Sequence, residues 1–522
     1  MKLCHPEYNF LSRNYWFGQM DSRPLSLYRI CFGALLLKNA LYLIPLSRRL
    51  YSDAGIVPRA PFWNGPYHSS YYLSLMDYLS ADWMAALLFV AWGGIALALL
   101  VGYRTRLMSV LNFMLVISIH KRNVFVLTGA DAVMSVLSFW IIFLPLDHYY
   151  ILGAARARRL WNTISRRSSD PRVPQAVHST YAFPMRMIQI QVALIYLFTV
   201  YTKVLGGGWL EGDALHYAFQ IHELLLPAGE WVRSISPDWV LRVGTWSTVL
   251  IETLFTPLVF APLVQPLLRA IGLTATFLLH LAIAVTMSIP DFSLVMWISF
   301  ILFFEPQWVQ WLERLARRAG GRFTHRSVDN RLIAPVTEIN RSGHFRQFGL
   351  AALLVIVMTG TIWESLYRAL DTFDDSLVSP MPKVFRTVLS ELRLPNAWAM
   401  FRFDSMQRAG WLLIQGQFED GTSKTLYSSV DPLSEQPTIY WGPEMHQRLL
   451  DTVVVNTRDS AVLRAWSRYY CQLYKDNEAE NRPSNFHLAT LEIHFRYRRS
   501  YRPGGALRPP EDDLLWSHKC QR

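Results

Sequence analysis

Cysteine is scarce: Cys4, Cys31, Cys471 and Cys520 are the only four in 522 residues. None falls in a CxxC pair or another zinc-like spacing, so no metal is expected. No cleavable leader is expected either. The first hydrophobic run is long and is followed by Arg48 and Arg49, not by a small-residue cleavage site. No nucleic-acid motif accompanies the net charge of +12. In a membrane protein an arginine excess is first a topology signal, so no nucleic-acid partner is expected. No internal repeat is evident, and no pair of interrupted hydrophobic segments matches. That weighs against an inverted-repeat transporter.

What the chain has is hydrocarbon: 52% of its residues are hydrophobic and 14% aromatic. This composition suggests a membrane domain joined to a soluble one. Nine hydrophobic stretches read as helices: about Leu25 to Leu46, Trp83 to Val101, Leu107 to Ile119, Ala132 to Leu146, Met187 to Leu205, Trp246 to Val264, Leu268 to Met287, Phe292 to Phe304 and Phe348 to Leu366. The expected fold is a mainly α-helical polytopic membrane domain of about 8–9 transmembrane helices plus a C-terminal α+β domain. Several stretches fall short of the roughly 20 residues a span needs, so their ends must extend into loops or turn back within the membrane. The expected divisions are residues 1–306 for the main membrane domain, 307–346 for an amphipathic helix and loop, 347–368 for the last span and 370–522 for the soluble domain.

Arginine sets the expected orientation. The loops Ala154–Arg186 and Pro306–Arg346 are rich in it and should be cytoplasmic. Counting spans outward from them puts the N-terminus on the cytoplasmic side and residues 370–522 outside, in a periplasm, an extracellular space or a lumen. The same count brings polar and ionisable residues of five helices to one depth near the outer face: His120, Lys121, Arg122 and Asn123, then Asp131, Lys203, Glu252 and His280, with Asp291 just beyond. A lysine at mid-membrane costs about 2.5–3.5 kcal/mol on insertion scales. Lys203 is therefore either a functional residue or one that snorkels to the headgroups. Desolvation favours the neutral form of a lysine, and a neutral lysine is a general base. His280 can be a hydrogen-bonded interior histidine, Glu252 a counter-ion, and Asp131 a helix N-cap after Gly129. Lys121 and Arg122 lie on the side where positive charge is disfavoured, which suggests that protein or an anionic group holds them. Gly206, Gly207 and Gly208 can be a simple turn.

Two further segments have clear patterns. Gln307–Arg318 places Trp308, Trp311, Leu312 and Leu315 on one helical face and arginines opposite, as in a helix lying on a membrane surface. In the tail, Trp411 to Phe418 and Thr422 to Tyr427 flank Asp420-Gly421 and read as a hairpin. Asp459 to Leu473 reads as a helix and His487 to Tyr497 as a strand. A bridge between Cys471 and Cys520 is allowed if this domain sits in an oxidising compartment.

Four places together resemble the HTTM family, whose membrane domain is related to that of vitamin K-dependent γ-glutamyl carboxylase. They are Tyr28-Arg29-Ile30-Cys31-Phe32-Gly33 with Tyr51 to Arg59; Arg122-Asn123-Val124-Phe125 with Gly129 to Ala132; Leu194-Ile195-Tyr196-Leu197 with Lys203 and Trp209-Leu210-Glu211-Gly212; and His280 to Pro306. The segment Pro395 to Phe401, followed by Gly410-Trp411, looks like the outer extension of bacterial members. The resemblance implies that Lys203 is the catalytic base acting on reduced vitamin K, a quinol, with O2 and CO2 as co-substrates. It implies that His280 hydrogen-bonds the quinone and that Asn123, Trp209 and Glu211 line the site; His120 and Glu252, which the span count puts at the same depth, are expected to line it with them. The acceptor would be glutamate in a secreted peptide, and membrane lipid would surround the domain. The chain departs from the family where Val124 follows Asn123 in place of a histidine; His120 could substitute. The alternative is a non-catalytic membrane partner for maturation or export of a secreted peptide or toxin.

Overall fold

A computed structural model describes residues 9–59, 74–78, 82–150, 179–221, 224–318, 341–371, 379–401, 408–428, 460–481, 488–505 and 509–520. Most of the arginine-rich loops used for orientation lies outside these residues.

All nine hydrophobic stretches are helical, some with the extended ends their length demanded. They are α1 (Arg23–Leu43), α2 (Asp82–Val101), α3 (Thr105–Arg122), α4 (Gly129–Trp140), α5 (Ala182–Leu205), α6 (Asp238–Val259), α7 (Gln265–Thr286), α8 (Pro290–Phe300) and, after the amphipathic α9 (Pro306–Arg318), α10 (Arg341–Asp371). The expected eight or nine spans are not supported. Among the described residues four helices are long and apolar enough to cross a membrane: α2, α5, α7 and the Phe348–Asp371 part of α10. A fifth appears only if Asp291–Phe303 and Pro306–Ala316, which meet at 111°, count as one broken span.

Buried charge explains part of the shortfall. α1 carries Arg29, which is 2% exposed. Its guanidinium donates to the carbonyls of Leu99 (3.1 Å), Tyr149 (3.2 Å) and Tyr150 (2.8 Å). A helix that buries arginine against protein carbonyls has the composition of a bundle interior. The neighbouring Gly33 lets α1 approach α2, since a Cβ there would lie 2.8 Å from the Leu100 backbone nitrogen. The Tyr28–Gly33 motif is thus a helix-packing device.

The tail forms a four-stranded antiparallel sheet of β1 (Arg408–Phe418), β2 (Ser423–Ser428), β3 (Leu488–Arg499) and β4 (Glu511–Lys519), in the order β2-β1-β3-β4. The expected hairpin turns at Asp420-Gly421. Gly421 adopts a φ of 82°, and Asp420 Oδ1 accepts from the Thr422 backbone N–H at 2.9 Å. The helix α12 (Ser460–Asn481) buries Leu463, Trp466 and Tyr470 against the sheet. A disulfide joins Cys471 of α12 to Cys520, just beyond β4. Closing that 49-residue separation restricts the unfolded chain by roughly 4 kcal/mol in the loop-entropy account. Between α10 and β1 lies a short helix, α11 (Lys383–Glu391), followed by an irregular strap, Leu394 to Phe401.

The sheet is tied to the helical bundle through one turn. Gln220 and Tyr501 exchange two hydrogen bonds, each 2.9 Å long, side-chain amide to backbone. His216 Nε2 also lies 3.0 Å from the Tyr501 carbonyl oxygen. Both Gln220 and His216 follow closely on Lys203, so the tail domain rests against the segment leaving α5.

Candidate active site

Helical periodicity builds the site. On α6 the buried residues Leu241, Thr245, Thr248, Glu252, Phe255 and Val259 recur every three or four positions. On α7 they are Gln265, Arg269, Leu273, Thr276 and His280, again one stripe. On α5, Tyr196, Thr199 and Lys203 share a face. Each stripe faces its neighbours, and the opposite faces of α6 and α7 expose leucines such as Leu250 and Leu278. Where the three stripes meet, four polar side chains are enclosed.

Lys203 Nζ donates to both oxygens of Glu252, at 2.6 and 2.7 Å. Both side chains are buried. The ammonium also lies 4.3 Å from the ring centroid of Trp209. A desolvated cation over an indole gains about 2 kcal/mol. The glycines make that contact possible. Gly207 (φ 72°) and Gly208 (φ 68°) both adopt left-handed backbone, which reverses the chain and brings Trp209 back over the end of α5. The run is a turn, as composition suggests, with a definite purpose.

Beside this pair sits His280, 2% exposed. Its Nε2 is 2.9 Å from the Tyr196 hydroxyl. Its Nδ1 is buried without a hydrogen-bond partner. Aromatic rings surround it: Phe292 at 5.4 Å, Phe300 at 6.0 Å and Tyr196 at 6.2 Å between centroids. The ring of Tyr196 lies in turn 4.3 Å from that of Phe255. Most buried polar groups in proteins have partners, so an orphaned imidazole nitrogen in an aromatic cage is the feature of a binding site.

The strap closes one end. Trp209 Nε1 donates to the Phe401 carbonyl at 3.0 Å, and Thr202 Oγ1 to the Trp398 carbonyl at 3.5 Å. Trp398 (φ 51°) and Phe401 (φ 55°) both occupy the left-handed region. A bulky residue pays of order 1–3 kcal/mol for that conformation, and such strain concentrates at ligand sites.

The structure therefore brings together Lys203, Trp209, Glu252 and His280, and separates them from the other expected residues. His120 is buried in a second network, with Nδ1 2.8 Å from Ser135 Oγ and Nε2 3.5 Å from Asp131 Oδ1. Asp131 is not an N-cap: Thr128 is, and Asp131 completes a reciprocal capping box three residues on. Asn123 donates from Nδ2 to the Leu50 carbonyl at 2.8 Å and accepts from the Phe125 N–H at 3.2 Å, fixing a loop. Glu211 is exposed on the turn after Trp209. Protein holds both cations near the end of α3: Lys121 pairs with Glu391, and Arg122 donates to the Val57 carbonyl at 2.8 Å.

Two participants were quoted in the sequence motifs without a role at the site. Tyr196 lies seven residues before Lys203, two helical turns along the same face, and that spacing was a usable signal. The strap's contact with Thr202 and Trp209 joins residues nearly 200 positions apart and had no local signal. Among the described residues no three His, Cys, Asp or Glu side chains gather closely enough to hold a metal ion.

Comparison with known proteins adds little to this geometry. No family model matches the chain. No solved structure matches it either. Over 221 residues it is 25% identical to the uncharacterized protein YitO of Bacillus subtilis (strain 168), a stretch covering 41% of this chain. That stretch is 66% of the relative, so the match spans just under two-thirds of YitO.

Proposed function

We propose that this chain is a membrane enzyme of the HTTM type that uses a quinol, as vitamin K-dependent γ-glutamyl carboxylase does. The observation that carries the reading is the unpartnered His280 Nδ1 in an aromatic cage beside the Lys203–Glu252 pair. A flat aromatic ring bearing oxygens suits such a cage, because the rings take its faces and a buried nitrogen takes one oxygen. In this reading His280 binds and orients the quinol oxygen, with Tyr196 fixing the imidazole from its other nitrogen. Lys203 acts in its neutral form, having passed its own proton to Glu252, and receives the hydroxyl proton, while Glu252 and Trp209 hold its amine in place. The quinol together with O2 would supply the strong base that removes a γ-proton from peptide glutamate before CO2 adds. The strap of Trp398 to Phe401 would exclude water from the side it covers.

The orientation belongs to the same proposal: N-terminus cytoplasmic, and residues 370–522 in a periplasm, extracellular space or lumen. The Cys471–Cys520 disulfide favours an oxidising compartment for that domain. The acceptor would be a glutamate-containing secreted peptide.

The test is turnover in lipid with reduced vitamin K, O2, labelled bicarbonate and a glutamate-containing peptide, following quinone epoxide and fixed label. Lys203→Arg is the control of choice. It keeps a cation against Glu252 but offers no base, because a guanidinium stays protonated. Both products in the wild type and neither in Lys203→Arg is the expected outcome. A second reading, a non-catalytic partner in maturing or exporting a secreted peptide, draws on one observation: Asn123 and His120 are engaged in packing networks away from Lys203. Absence of both products from well-folded wild-type protein would favour it, and peptide maturation would then survive Lys203→Arg.

A further inference from the structure

The corner between α8 and α9 is unusually well fastened. The apolar run ends in a 3-10 turn, Ile301–Phe303, and the chain then bends by 111° into α9. Arg269 of α7 forms a buried ion pair with Glu305 at the corner. Its guanidinium also donates to the Val259 carbonyl at 3.3 Å. Gln189 of α5 donates to the Leu302 carbonyl at 2.7 Å. The direction of α9 is thus set by three other helices and is not free to vary.

Three faces follow from that fixed direction. One faces protein: Val309 is buried, Glu313 is hydrogen-bonded by the Tyr150 hydroxyl, and Trp308 stacks edge-on against Phe304 at 5.8 Å. The second face exposes Trp311 (53%), Leu312 (38%) and Leu315 (39%). The third exposes Gln307, Arg314 and Arg318. An amphipathic helix bent sharply off an apolar segment is placed to run along a bilayer surface. Its uncovered apolar face then meets acyl chains, and its arginines meet phosphates.

We propose that α9 is an interfacial helix that seats Trp311, Leu312 and Leu315 in an anionic leaflet, with Arg314 and Arg318 on its lipid phosphates. The occupant is the membrane itself, chosen because the exposed apolar face is flanked by the cations Arg314 and Arg318. Seating α9 in the leaflet also fixes the depth of α7, through Arg269 and Glu305, and with it the depth of His280. The proposal does not depend on the quinol reading.

Full-length protein carrying Cys4→Ser and Cys31→Ser, with the native disulfide intact, would receive a single nitroxide at Leu312→Cys or at Gln307→Cys. Collisions with oxygen, which dissolves in lipid, and with a water-soluble nickel chelate would be compared in nanodiscs. Discs of phosphatidylcholine with phosphatidylglycerol would be set against discs of phosphatidylcholine alone. Oxygen-dominated collisions at position 312 and nickel-dominated ones at position 307 are expected. Arg314→Glu with Arg318→Glu should lower the immersed fraction at position 312 in the anionic discs, by about fivefold per arginine. Equal nickel access at both positions would overturn the proposal. So would shielding of position 312 from both reagents, which would assign the face to protein. Charge reversal without effect in anionic discs would overturn the anionic preference.

Discussion

Two of the buried polar clusters in the helical bundle, those around His120 and Lys203, differ in how completely their hydrogen bonds are used. Around His120 both imidazole nitrogens have neighbours, Ser135 and Asp131, and Asp131 also accepts from the Thr128 backbone N–H at 2.7 Å. That network closes on itself and caps α4. Around Lys203 the ion pair is closed, but His280 keeps one nitrogen unused. A saturated network rigidifies a fold, whereas one with spare capacity can take a ligand. From the sequence alone the two histidines look alike.

The largest expected effect breaks the ion pair. Lys203→Met leaves the Glu252 carboxylate buried and unpaired, which should cost about 3–5 kcal/mol. Lys203→Met with Glu252→Leu should recover most of that loss. Thermal unfolding in detergent measures both, and equal destabilisation by the single and double variants would contradict the pairing. Lys203→Ala is a poor activity control for the same reason.

The next pair sharpens the comparison between clusters. His120→Phe strands Ser135 and Asp131 and should destabilise by about 1–3 kcal/mol. His280→Phe leaves only the Tyr196 hydroxyl without its partner and should cost less, yet it should abolish quinol binding read as a change in quinol fluorescence or absorbance. The reverse ranking would mean that His280 is the scaffold and His120 the site. A smaller loss, about 1 kcal/mol, is expected for Thr128→Ala, which removes the cap of α4. Product formation should be unaffected by it.

The smallest effect lies outside both clusters. Burial, then Arg468 and Arg464, hold His518 of β4 below its usual imidazole range. The unfolded chain therefore binds the proton more readily. Stability of the sheet domain should fall as pH drops through the ordinary histidine range, about 6.5, and level off once the folded protein is protonated too. Fluorescence melting of wild type and His518→Asn would show whether the asparagine variant flattens that dependence.

Much of the fold was legible because local rules applied. Hydrophobic runs made helices, Asp420-Gly421 made a hairpin turn, and Gln307 to Arg318 announced an amphipathic helix. The span count was not legible. Arg29 and Glu252 sit in helices whose buried faces mix polar and apolar residues, and a hydrophobicity pattern cannot tell a helix sheathed by lipid from one sheathed by protein. Of the expected site residues, Lys203, Trp209, Glu252 and His280 converge because each occupies the buried stripe of its helix or a turn that glycine permits. Glu211 and Asn123 do not, because residue type and sequence proximity say nothing about where a side chain points.

The sequence by itself determined which segments are helical, where the strands turn and which charged residues lie within apolar runs. These follow from backbone preference and hydrophobic periodicity, which act over a few residues. Only the tertiary structure decided which of those charges pair, that the strap of Trp398 to Phe401 accepts bonds from Thr202 and Trp209, and that His280 is left with an unused nitrogen. Such contacts join residues 50 to 200 positions apart. They are selected by the cost of burying an unpaired polar group, a cost that exists only once the helices have packed.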